Sequence, residues 1–87
     1  MIEPYAVFLR SEAIDALHSL QPRHRKVVGA FIDSLAMDPF TEGDYNSPDS
    51  TGRAIGIKIL GAVAISYWAD HPVKEIKVID IRSADRA

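Results

Sequence analysis

The sequence predicts an α+β fold, in which a helical hairpin covers one face of a mainly antiparallel four-stranded sheet. Three observations predict it. The half from Arg53 to Arg82 is dominated by β-branched and aromatic residues and is cut into runs by Gly61 and Asp70-His71-Pro72. The half before it carries apolar residues at helical spacing, interrupted once at Gln21-Pro22. A short strand-like run, Tyr5-Ala6-Val7-Phe8-Leu9, precedes both. The predicted order is therefore strand, helix, helix, strand, strand, strand, a two-layer arrangement.

The first strand ends at Arg10-Ser11, and Ser11 is a natural N-cap because its hydroxyl can accept from an orphan amide of the first turn. Ala13, Ile14, Ala16, Leu17 and Leu20 then predict a helix over 12–20. Pro22 suits the first position of a second helix, predicted over 22–37. Its apolar stripe is Val27, Phe31 and Leu35, flanked by Val28 and Ile32. Asp38-Pro39 stops it, since the residue before proline is pushed out of the α region. So short a connection makes the two helices an antiparallel hairpin. Residues 38–52 are rich in Gly, Pro, Asn, Asp, Ser and Thr and show no periodicity, so they predict a connecting loop. The last three runs predict a meander, with the first strand joining the sheet beside the last. Alternation sorts the faces. Ile55, Ile57, Ile59, Val63, Ile65, Tyr67, Ile79 and Ile81 are expected on the buried face. Gly56, Lys58, Ala64, Ser66, Trp68, Asp80 and Arg82 are expected on the open one.

With 87 residues, 47% hydrophobic and 25% charged, the chain suits one domain over 1–87 with one modest core. No cysteine is present, which excludes disulfides and thiolate metal sites and suits a reducing compartment. No apolar run reaches the roughly 18 residues a membrane helix needs. Met1-Ile2-Glu3-Pro4 has neither a basic nor an apolar signal region, so a cytoplasmic protein is expected. The net charge of −2 argues against a strong overall electrostatic grip on nucleic acid, while leaving room for a local basic patch.

Candidate functional residues are few. Arg23-His24-Arg25-Lys26 crowd the start of the second helix, where cations oppose the helix dipole and call for a compensating partner. His18, His24 and His71 match no ligand spacing, so no metal is expected, and no cofactor signature is present. His71 is an acid–base candidate, because its ordinary pKa lies near neutrality. Trp68 on the open face suits base stacking or the anchoring of a partner. Arg82 two residues after Asp80 suits either a lateral ion pair or an oriented guanidinium for a phosphate.

The element order on so short a chain resembles the RelE/ParE toxin superfamily of bacterial type II toxin–antitoxin modules. Phe8 through Leu20 is similar to the family's opening strand and helix, and Arg25 with Ile32 through Pro39 to its second helix. Ile57-Lys58-Ile59, Gly61 and Ala64-Ile65-Ser66-Tyr67 look like the paired central strands, and Val78 to Arg82 like the last. The resemblance implies a toxin held by a cognate antitoxin, with Trp68 as an antitoxin contact. In the RelE branch it implies mRNA cleavage in the ribosomal A site by the RNA's own 2′-hydroxyl. There, Arg53, Lys58, Arg82 and Arg86 would bind RNA. Lys58, Arg82 and His71 would be the catalytic set. The arginine expected after the central glycine falls on Ala64, and no tyrosine follows Arg86. Those departures point to the alternatives: a ParE-like inhibitor of DNA gyrase, or an inactive antitoxin-binding module.

Overall fold

A computed structural model describes residues 3–83. The apolar stripe of the helical half and the apolar side of the sheet meet in one core. Strand β1 (Ala6–Leu9) leads into helix α1 (Ser11–Ser19), helix α2 (Pro22–Met37), β2 (Tyr45–Pro48), β3 (Ala54–Leu60), β4 (Val63–Asp70) and β5 (Glu75–Ser83). A short 3-10 turn, His71–Val73, joins the last two strands and closes on Lys74 in the left-handed region at φ 57°. The sheet order is β1-β5-β4-β3-β2, with β1 parallel to β5 and every other pairing antiparallel. The expected place of β1 beside the last strand is thus found.

Both helices lie on one side of this sheet. Ala13 of α1 and Val28, Ile32 and Leu35 of α2 pack on Val63, Ile65, Tyr67, Ile76, Val78 and Ile81. Each large side chain so buried contributes about 1.5–3 kcal/mol relative to exposure. The stripe of α2 runs through Val28, and Val27 is 51% exposed. Ser11 is the first helical residue and Arg10 holds the cap position, without a side-chain capping bond. The basic cluster at the start of α2 is partly explained locally. Arg25 donates from Nη1 to the carbonyls of His18 (3.2 Å) and Leu20 (3.3 Å), satisfying the carbonyl end of α1.

Three further expectations change, each for a geometric reason. The predicted loop contains a strand, so the sheet has five strands rather than four. Tyr45, Asn46, Ser47 and Pro48 pair with Ile57, Gly56, Ile55 and Ala54. Second, the β3–β4 turn has two residues, Gly61-Ala62, so Leu60 stands opposite Val63. Cross-strand partners share a face. Lys58 therefore lies with buried Ile65, and Gly56 with buried Tyr67, on the helix side. Ile55, Ile57 and Ile59 face the other way, and Gly56 and Lys58 leave the open face on which alternation had placed them. Third, β5 carries a bulge. Ser66 pairs with Asp80 but Tyr67 pairs with Val78, so Ile79 is an extra residue. Val78 takes the buried place expected of Ile79.

Candidate functional site

The sheet face turned away from the helices is built in cross-strand rows. One row is Tyr45, Ile57, Ser66 and Asp80, and the next is Ile59, Ala64 and Arg82. At the usual strand spacing the four-strand row spans about 14 Å. Toward the other end of β4, Trp68 stands opposite Lys77, and Lys77 opposite Phe8. Between these rows lies a shallow concavity of about 360 Å³. Its floor is Ile55, Ile57 and Ala64, and Tyr45, Ser66 and Arg82 rise around it. An apolar floor with an exposed phenol, a hydroxyl and a guanidinium suits a flat, anionic ligand segment. Ile55 is buried in this floor and not in the helix-side core.

The charged groups on this face are held by neighbouring carboxylates. Asp80 Oδ2 accepts from Arg82 Nε at 2.6 Å and also pairs with its Nη2, while the Arg82 side chain is 70% exposed. Arg53 Nη1 donates to Asp49 Oδ2 at 3.2 Å. The other oxygen of Asp49 accepts from the Thr51 amide (2.8 Å), the Thr51 hydroxyl (2.7 Å) and the Arg53 amide (2.9 Å). Those bonds, the Thr51 hydroxyl first, hold the Asp49 carboxyl below its ordinary pKa. They also fix the turn that launches Arg53 across the sheet, where its guanidinium lies 3.9 Å from the centre of the Trp68 ring.

The residues singled out from the sequence do not all meet. Arg82 and Trp68 are on the open face as expected, and Arg53 reaches it through Trp68. Ala64, where the resemblance expects arginine, is the direct cross-strand neighbour of Arg82. Lys58 is on the helix side, 3.4 Å from Asp44 Oδ1. Asp44 also accepts the Ile59 amide at 2.7 Å, and that bond first, then Lys58, lowers its pKa. His71 lies just past the end of β4, about 23 Å along the strand from the row of Arg82 at the usual rise per residue. There it is hydrogen-bonded to the Tyr5 hydroxyl (2.9 Å) and stacked on Phe40. Arg86 lies outside the described residues. Tyr45, which no periodicity marks, enters the concavity because β3 recruits a polar segment as its edge partner. The signal for it in the sequence is slight: one aromatic residue in an otherwise polar connector.

Among the described residues no group of histidines and carboxylates is placed to hold a metal ion, and no helix is long and apolar enough to cross a membrane.

No protein-family model matches the sequence, and no curated protein matches it. Solved structures do resemble it. A chain of the archaeal RelE–RelB complex from Pyrococcus horikoshii superposes with a TM-score of 0.78 at 22% identity, covering 97% of this chain and 99% of that one. A chain of the RelBE2 toxin–antitoxin complex of Mycobacterium tuberculosis gives 0.70 at 22% identity, with 92% and 98% covered. The isolated RelE toxin of E. coli gives 0.76 at 15% identity, with 95% and 87% covered. Helices, sheet and connections therefore correspond along nearly the whole length, and the chain has the fold of the RelE toxins.

Proposed function

We propose that this protein is the toxin of a type II toxin–antitoxin module, held by a cognate antitoxin, and that in the cytoplasm it inhibits translation by cleaving mRNA on the ribosome. The observation that carries the reading is the end-to-end correspondence with RelE toxins, two of them in antitoxin complexes. The open face adds chemical sense to it. Arg82 is an exposed cation that lines one concavity with Ser66 and Tyr45, over an apolar floor on which a nucleotide can lie. In cleavage by the RNA's own 2′-hydroxyl, Arg82 would neutralise charge developing on the phosphate, and the Tyr45 phenol, which lines the same concavity, would serve as an acid–base group. Asp80 would hold the guanidinium in position until a phosphate takes its place.

One arrangement favours a second reading, a toxin that binds its target without cutting it. Arg53 and Arg82 both carry carboxylate partners, and Ala64 leaves Arg82 without a second cation in its row. Such a protein would act on DNA gyrase, or serve only to bind the antitoxin. Induced expression followed by primer extension separates the readings. New 5′ ends at A-site codons are expected for cleavage. DNA breaks with intact mRNA would assign the target to gyrase, and growth arrest relieved by an adjacent small gene would identify the antitoxin.

A further inference from the structure

A second concavity, of about 280 Å³, lies at the end of the sheet where β3 begins and β4 finishes. Loop 39–43 forms its outer wall. Gly43 lets that loop approach closely: a Cβ there would stand 2.7 Å from the Ile57 backbone nitrogen and oxygen. The cleft is bordered by flat groups. Phe40, 72% exposed, stacks on His71 with ring centres 4.4 Å apart and planes 11° apart. Opposite them, the Arg53 guanidinium covers Trp68. Two polar side chains, Glu42 and Asn46, line the same cleft, and neither has a hydrogen-bond partner among the described residues. The Glu42 carboxylate is near enough to the Tyr67 hydroxyl that, after burial and the charge of Asp44, its charge helps to raise the pKa of that phenol.

We infer that this cleft binds a nucleobase, and that its ligand is guanine. Planar aromatic and guanidinium surfaces are what a base stacks on, with little regard to its identity. The volume, about 280 Å³, lies just below the roughly 300–1,000 Å³ range of drug-sized ligand sites, which suits one flat ring system. Identity is set by the polar groups. A carboxylate only accepts, and two oxygens in a plane match two parallel N–H donors. Guanine presents such a pair on its Watson–Crick edge, from its ring N–H and its amino group. Adenine and cytosine offer only an amino group beside an acceptor, and uracil a single N–H between acceptors. Asn46 adds a donor and an acceptor for the rest of the base edge. Arg53 stands at the rim for the attached phosphate. This inference rests on reading the open face as an RNA surface, since Trp68 belongs to that face and to the cleft alike.

The full-length protein is titrated with the four ribonucleoside 5′-monophosphates, following its single tryptophan by fluorescence and the heat by calorimetry. Guanosine monophosphate is expected to quench Trp68 saturably and to bind more tightly than the other three. Glu42→Gln should weaken it by about tenfold while barely changing adenosine monophosphate. Phe40→Ala should weaken all purine binding by about tenfold, within the range for one stacking partner. Gly29→Ala, on α2 with nothing within 4 Å of the added Cβ, should leave the titration unchanged. Absence of saturable binding, or a Glu42→Gln variant that prefers guanosine monophosphate as before, overturns the inference. Primer extension reads the ribonuclease proposal separately. Selective guanosine monophosphate binding in a protein that leaves mRNA whole retains the cleft and discards cleavage, whereas mRNA cleavage without nucleotide selectivity does the reverse.

Discussion

Asp80 engages Arg82 through two guanidinium nitrogens on the same face of β5, with the Nε contact at 2.6 Å. Arg82 is largely exposed and Asp80 only partly buried, so the pair contributes little to stability, about 0–1 kcal/mol. Its importance is positional. Arg82→Ala is expected to abolish growth inhibition while leaving the melting temperature nearly unchanged. Asp80→Asn should keep the guanidinium available and retain at least part of the activity. A folded Arg82→Ala protein that still arrests growth removes this residue from the mechanism.

Lys58 should behave differently, because it is on the helix side beside Asp44 rather than in the row of Arg82. Lys58→Ala is expected to leave toxicity largely intact, and the double variant with Arg82→Ala to resemble Arg82→Ala alone. Loss of toxicity in a well-folded Lys58→Ala protein would show that Lys58 reaches the substrate around the sheet edge.

Acid should expose the contribution of the two turn carboxylates. Asp44 and Asp49 both have folded pKa values below their ordinary ones, chiefly through the Ile59 amide and the Thr51 hydroxyl respectively. A depressed carboxylate contributes stability that is fully present above its unfolded pKa and is lost as pH falls through the folded value. Denaturant midpoints are therefore expected to hold at neutral pH and to decline below about pH 4. Asp44→Asn and Asp49→Asn should each flatten that decline. An acid limb unchanged in both variants would assign it to other groups.

Gly43→Ala is expected to destabilise the fold by about 1–3 kcal/mol, the usual cost of overpacking. The obstacle is the backbone of Ile57, which cannot rotate away as a side chain can. Chemical denaturation of this variant beside Gly29→Ala gives the comparison, because a Cβ at Gly29 meets nothing within 4 Å.

Trp68 is half-buried on the open face. If the antitoxin covers this face, Trp68 fluorescence should shift to the blue on binding, and Trp68→Ala should weaken the complex by about 2 kcal/mol or more, as for interface hot spots. With a net charge of −2 on this chain, the antitoxin is expected to dock through basic or apolar residues. A tight complex with an unmoved Trp68 spectrum would locate the interface elsewhere.

Much of the architecture was legible because propensity and pattern agreed in it. Pro22 and Asp38-Pro39 bounded α2 correctly, and the β-branched runs became β3, β4 and β5. What escaped depends on partners distant in sequence. Asn46, Ser47 and Pro48 have poor strand propensity and pair only because β3 offers an edge. The faces of β3 were inverted because alternation says nothing about phase across a turn, and a two-residue turn sets that phase. Arg82 was readable as a candidate from its neighbour Asp80. The approach of Tyr45, and the stacking of Arg53 on Trp68, depend on side chains brought together by the sheet.

The bulge at Ile79 makes this face sensitive to chain length rather than to composition. Ile76 and Val78 point to the core, and by strict alternation Asp80 and Arg82 would follow them there. One additional residue exports the pair to the opposite side. Deleting Ile79 would remove the bulge and restore plain alternation after Val78, keeping Asp80 and Arg82 on the open side, whereas a regular ladder that paired Ile79 would turn a carboxylate and a guanidinium into the hydrophobic interior. When related chains without the bulge are aligned, a single-residue gap at Ile79 therefore keeps this arginine on its side, and an alignment that closes the gap to gain identity would match Arg82 to a residue facing the core.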